Sequence, residues 1–155
     1  MEKRIGQPFA VRGMTLQNRI CFAPMTCALL AEEDGSVGEQ SVQVFRQIAA
    51  GGAALLIQGS TSVCCKNRAR ERQAGIWEDG QIPGLQRITA AVHGEGKRIV
   101  LQLQHAGIRS YIENPVCSSA FSCKVGGCLR DGHESDPAGV CGRCGAGRGR
   151  RVRWN

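Results

Sequence analysis

No apolar run in the 155-residue chain approaches the roughly 18 residues of a membrane-spanning helix, which argues against that class and predicts a soluble protein. The first residues, MEKRIGQPFAV, lack the apolar core of a secretory signal, so a cytoplasmic location is expected. An even cysteine count is missing too: there are nine, and in a cytoplasmic chain thiols or metal ligands are expected over disulfides. Nor is the basic charge uniform. The net charge is +7, yet residues 1–116 carry 13 Lys and Arg against 10 Asp and Glu, and residues 117–155 carry 7 against 3. A chain-wide affinity for nucleic acid is therefore not supported, and only the tail could provide one. At this length one core is the ceiling, with about two-thirds of the chain's surface buried on folding.

What is present reads as alternating strands and helices. RICFAPM, Arg19 to Met25, is a short apolar run that suits a buried strand ending at Pro24, which cannot continue a ladder. After a loop with Asp34 and Gly35, Glu39 to Ala50 sets Val42, Phe45, Ile48 and Ala49 at helical spacing, and Gly51 and Gly52 stop the helix. AALLIQGSTSV, from Ala53, is apolar without alternation, as expected of a parallel strand covered on both faces. Pro83 opens a second helix with Leu85, Ile88, Ala91 and Val92 on one face, closed by Gly94 and Gly96. RIVLQLQHAG, Arg98 to Gly107, is a third buried strand.

Strand, helix, strand, helix, strand with crossover connections is an α/β pattern, either an open sheet or part of a barrel. In a (β/α)8 barrel the chemistry sits at the C-terminal strand ends. Those ends are Pro24-Met25-Thr26, Gly59-Ser60-Thr61, and Gln102 with Gln104-His105. Two of them offer hydroxyls or small residues where backbone can approach a planar ligand, and the third offers an amide. Taken alone, polar loops of this kind occur in most barrels.

Three stretches are more specific: LQNRICFAPMT, AAGGAALLIQGSTSV and GIWEDGQIPGLQRITAAVHGEGKRIVLQLQHAGIRS. In order and spacing, residues 1–115 resemble the N-terminal third of the Old Yellow Enzyme family of flavin-dependent ene-reductases and NADH:flavin oxidoreductases. The resemblance implies the first three β/α units of a TIM barrel over residues 1–116, FMN as cofactor, NAD(P)H as reductant and a small-molecule activated alkene as substrate. It implies neither a nucleic-acid nor a membrane partner, and no metal.

Residue by residue, Ala23, Pro24 and Met25 match the loop whose backbone lies against the FMN ring. Thr26 matches a position that adjusts the flavin's reduction potential. Ser60 falls where the family usually has a small Ala or Gly against the isoalloxazine, so its hydroxyl needs a partner. Gln102 matches the glutamine whose amide pairs with the pyrimidine edge of the flavin, and an amide inside an apolar strand must be hydrogen-bonded to something. Each has a plainer alternative: Met25 as packing, Thr26 as a loop hydroxyl. His105 is expected to be structural, His93 a solvated residue near a helix end, and Cys64 and Cys65 adjacent thiols without a metal. In the family, hydride passes from NAD(P)H to FMN and then to the β-carbon of the alkene. The His with His or Asn that holds the substrate, and the tyrosine proton donor, follow the fourth strand and have no counterpart here, so no catalytic residue is assigned.

Residues 117–155 form an irregular Cys/Gly/Arg-rich tail. As protein it offers Cys123-x4-Cys128, twelve residues, then Cys141-x2-Cys144, a four-thiolate zinc spacing with a basic end. That gives the alternative reading of a zinc-stabilised nucleic-acid-binding module. Its composition points elsewhere: 28 of 39 residues are Gly, Arg, Cys, Trp, Ser, Ala or Pro, and four are Val, Leu, Ile or Met, too few for a core. Such a mixture arises when a GC-rich gene is read out of frame. Reading Arg148 to Trp154 one nucleotide later permits Ala-Ala-Ala-Gly-Phe-Asp-Gly, which suits the family's entry into its fourth strand. The tail is accordingly expected to be an out-of-frame extension, leaving three barrel strands with an exposed edge and an unstable fragment.

Overall fold

The computed structural model describes residues 4–26 and 31–111, together with four two-residue strands between residues 116 and 131. An N-terminal hairpin pairs β1 (Phe9–Val11) with β2 (Met14–Leu16) antiparallel, turning at Arg12 with φ 47°. A parallel sheet follows, in the order β3 (Cys21–Thr26), β4 (Leu55–Ser62), β5 (Arg98–Gln104). Helix α1 (Glu39–Ala50) connects the first two of these strands and α2 (Ile82–Gly94) the next two. The short pieces β6 (Val116–Cys117) and β9 (Arg130–Asp131) pair parallel, and β7 (Ser122–Cys123) and β8 (Gly127–Cys128) antiparallel.

The helices form where the apolar spacing predicts. Val42, Phe45 and Ala49 of α1 and Leu85, Ile88, Ala91 and Val92 of α2 are buried together with Val37 and Leu56, and Phe22, Ile99 and Leu101 pack against them from the sheet. One face of the sheet is thus closed by the two helices, and burying such side chains contributes about 1.5–3 kcal/mol each. Helix α1 ends at Gly51, and Gly52 takes φ 100°, a conformation that glycine reaches without Cβ strain. Pro83 stands in the first turn of α2, where its missing N–H costs nothing.

Two local expectations are corrected. The first strand does not end at Pro24 but runs to Thr26. The register moves from Phe22↔Leu56 to Met25↔Gln58, so two residues of β3, Ala23 and Pro24, oppose the single Ile57. That bulge gives Pro24 a place where no ladder N–H is required. The third strand is not buried on both faces. It is a sheet edge, with Val100 43% and Leu103 62% exposed. A groove of about 490 Å³ runs beside it, lined by Ile76, Leu85, His93, Ile99, Leu101 and Leu103. His93 therefore lines an apolar groove and is only part-exposed, not a fully solvated surface residue.

Candidate functional site

Both bulges of the sheet fall at its C-terminal end. Between β4 and β5 the register passes from Gln58↔Leu101 to Thr61↔Leu103, so Gly59 and Ser60 together oppose Gln102. A bulge re-aims side chains, and here it turns consecutive residues of β4 toward the Gln102 and Gln104 side of β5. The consequence is a convergence of three strands. A Cβ placed on Gly59 would lie 2.5 Å from Pro24 Cβ, 2.9 Å from Pro24 Cα and 2.8 Å from Gln102 Oε1. Only a residue without a side chain lets Pro24 and Gln102 come this close over β4.

Ala23, Pro24 and Met25 are exposed, Met25 to 55%. Thr26 pairs with Gly59 in the register, which places its backbone at the same strand end. Gln102 is exposed, and its amide makes no hydrogen bond to a described residue. The expectation of a buried amide that must be hydrogen-bonded is corrected in its premise: on an uncovered face no burial penalty demands a partner. Its donors and acceptor remain available to a ligand.

Ser60 is buried, and its hydroxyl has the partner that the sequence demands. Ser60 Oγ donates to Gln104 Oε1 at 2.6 Å, while Gln73 Nε2 donates to Ser60 O at 2.9 Å, lies 3.0 Å from Ser60 Oγ and donates to Gln104 Oε1 at 2.6 Å. Beside it Thr61 is fully buried, with no partner for Oγ1 among the described residues. His105 is exposed and its Nδ1 accepts from Gly107 N at 3.2 Å, a local turn bond.

The loops above the strand ends are fastened by residues that sequence patterning did not single out. Arg68 donates to Glu33 O and to Tyr111 Oη, both at 2.8 Å, and its guanidinium lies 5.5 Å from the Trp77 ring centre and 5.3 Å from that of Tyr111. One side chain thus links the segments that follow β3, β4 and β5, by charge-assisted bonds and ring contacts. Gln81 Nε2 donates to Asp34 O at 2.7 Å and holds the loop after β3. The hydroxyl and backbone N–H of Ser36 both bond the Asp34 carboxyl, which holds it below its ordinary value.

The arrangement suits a flat ligand. There is a shallow floor of glycine, alanine and proline, and an unengaged amide at one side. The residues present fit an FMN ring system, because the cradle at Gly59 is one that any Cβ would fill and Gln102 can both donate and accept. The profile of the NADH:flavin oxidoreductase / NADH oxidase family matches residues 4–129.

The chain belongs to this flavin oxidoreductase family.

Among the family's relatives, it is 32% identical over 123 residues to the NADPH dehydrogenase of Halalkalibacterium halodurans, covering 79% of this chain and 36% of that protein. With the NADPH dehydrogenase of a Geobacillus species it shares 33% identity over 116 residues, 75% of this chain and 34% of the relative. Among solved structures, morphinone reductase in complex with tetrahydroNAD superposes with a TM-score of 0.71 at 29% identity, over 82% of this chain and 36% of that one. The Old Yellow Enzyme homologue from Zymomonas mobilis does so at 0.70 and 30%, over 84% and 37%. The chain therefore spans about a third of the length of these flavin oxidoreductases, and its sheet is the corresponding part of their TIM barrel. FMN and NAD(P)H are the family's cofactors.

Among the described residues no group of three or more His, Cys, Asp or Glu is placed to hold a metal, and no helix is long and apolar enough to cross a membrane. Cys21, Cys64 and Cys65 are thiols. Of the zinc spacing, Cys141 and Cys144 lie outside the described residues, and Cys123 and Cys128 are described in their backbone alone.

Proposed function

We propose that residues 1–116 form the part of an FMN site that carries the ring, in an NAD(P)H-dependent oxidoreductase acting on activated alkenes. The observation that carries this reading is the convergence of Pro24, Gly59 and Gln102 from three adjacent strands. Ala23, Pro24, Met25 and Gly59 form the floor, the backbone of Thr26 borders it, and Gln102 supplies the amide for the ring's polar edge. Bound FMN supplies hydride transfer, from the nicotinamide and onward to the alkene. This chain's own residues position the ring and hold its edge. The tail, residues 117–155, is read as leaving the family's frame beyond residue 129, where the family match ends, and a cytoplasmic location accords with the three described thiols.

Half a site binds but does not turn over. In a titration of the full chain, FMN fluorescence should be quenched with saturation, and Gln102→Ala should weaken that binding by about tenfold, the worth of one hydrogen bond. NAD(P)H oxidation with an activated alkene should stay at the level of free FMN. Wild-type chain that fails to quench FMN would remove the reading.

A further inference from the structure

The polar triad beneath the strand ends has a direction. Gln73 is buried, and its Oε1 accepts from the backbone N–H of Ala69 at 2.7 Å. A backbone N–H can only donate, so the oxygen of Gln73 must face Ala69 and its NH2 must face Ser60 and Gln104. Gln104 in turn presents Oε1 to that NH2 and to the Ser60 hydroxyl, both at 2.6 Å. Were the Gln104 amide reversed, its NH2 would face another NH2 and the bond from Ser60 Oγ to Gln104 Oε1 would be lost. The orientation of one amide is thus set by a backbone donor two residues away in the chain of bonds.

The other prong of Gln104 is thereby committed. Its Nε2 donates to no described residue, and Gln104 stands two positions beyond Gln102, on the same side of β5. We propose that Gln73 is a positioning residue of the flavin site, which fixes Gln104 so that its NH2 is held as a second amide donor beside Gln102 for a carbonyl edge of the ligand. This rests on the FMN reading above. It also gives Ser60 a definite role: the hydroxyl is turned into the triad and is not offered to the ring.

Two isosteric variants of the full chain separate the parts. Gln73→Glu keeps an acceptor for Ala69 but turns an oxygen toward Gln104, which must reverse its amide to donate. Gln104→Glu keeps both acceptor roles within the triad and replaces the outward NH2 donor by a carboxylate oxygen, so it tests the ligand contact even if the buried variant fails to fold. Two readouts are needed: the side-chain amide resonances of Gln104 in the ligand-free chain, and the FMN dissociation constant from fluorescence quenching.

The expected result is a large shift of the Gln104 NH2 signals in Gln73→Glu, with FMN bound about tenfold more weakly in each variant, and no further loss from Gln73→Glu in a Gln104→Ala background. Unmoved Gln104 resonances would overturn the positioning role. Wild-type FMN affinity in both variants would overturn the inference and leave the flavin reading intact, whereas a wild-type chain that does not bind FMN overturns both the flavin reading and the donor role.

Discussion

Replacing Gly59 by alanine tests the convergence directly. The added Cβ would stand 2.5 Å from Pro24 Cβ and 2.9 Å from Pro24 Cα, against the roughly 3.5–4.0 Å that carbon atoms prefer, so β3 must retreat by about 1 Å. The third close neighbour, Gln102 Oε1 at 2.8 Å, sits on a flexible side chain and can swing aside. Pro24 cannot, because the clash involves its Cα and its ring fixes φ. Overpacking of this kind costs about 1–3 kcal/mol, and the reduced freedom of the unfolded chain returns about 0.4–1, for a net loss near 1.5 kcal/mol. At a urea slope of about 1–2 kcal/mol/M the unfolding midpoint, followed by helical circular dichroism, should fall by about 1 M. Gly94→Ala is the control: nothing lies within 4 Å of its added Cβ, and α2 should gain up to about 1 kcal/mol. FMN affinity should drop only in Gly59→Ala, by about tenfold. If Gly59→Ala matched Gly94→Ala in midpoint, or bound FMN as the unaltered chain does, the close approach of β3 and β5 over Gly59 would be wrong.

Thr61→Val removes a buried hydroxyl that has no partner among the described residues while keeping the side chain's shape, and should raise stability by about 1 kcal/mol in the same urea assay; a loss would show that the hydroxyl is bonded. Charging the open edge with Val100→Lys and Leu103→Lys should lower self-association in sedimentation or light scattering, since these two residues are the apolar exposed part of β5; unchanged aggregation would place the sticky surface elsewhere. The Asp34 carboxyl, held below its ordinary 3.8 by the Ser36 hydroxyl and N–H, favours the folded state above that value, and this contribution is lost as pH falls through the lowered value. Asp34→Asn should therefore flatten the acid limb of the stability curve below about pH 4, and an acid limb identical to that of the unaltered chain would refute the assignment.

The helices were legible because their signals are redundant. In α1, Val42, Phe45 and Ala49 repeat at helical spacing and a glycine pair closes the element, so the expected bounds Glu39 to Ala50 are the observed ones. In β3 and β5 the signal was thinner. An apolar run reports that a strand exists, not whether a neighbour covers it, and β5 reads as buried although it forms the edge. The hairpin β1–β2 escaped notice because each arm has only three residues, too few for alternation to register. Both bulges did have a signal: a proline in β3 and a glycine in β4 are the two residues that mark broken ladders, and here both sit at the site. Gln73 had none. Its place depends on a loop folding back to Ser60 and Gln104, thirteen and thirty-one residues away, and no local pattern encodes that.

The site's exposure and the sheet's incompleteness have one cause. Gln102 can offer its amide to a ligand because nothing covers that side of β5, and Val100 and Leu103 are exposed for the same reason. In relatives a little over twice as long, the barrel continues past this edge. A polar amide at a strand end tolerates water, so Pro24, Gly59 and Gln102 can keep their geometry without further neighbours. Exposed apolar residues on a strand with one open edge do not share that tolerance, because association removes them from water. The convergence over Gly59 depends on β3 and β4 and on the first contact of β5, whereas the edge depends on what lies beyond β5. Flavin binding and self-association are therefore separable: lysines at 100 and 103 should suppress the second while Pro24, Gly59 and Gln102 retain the first.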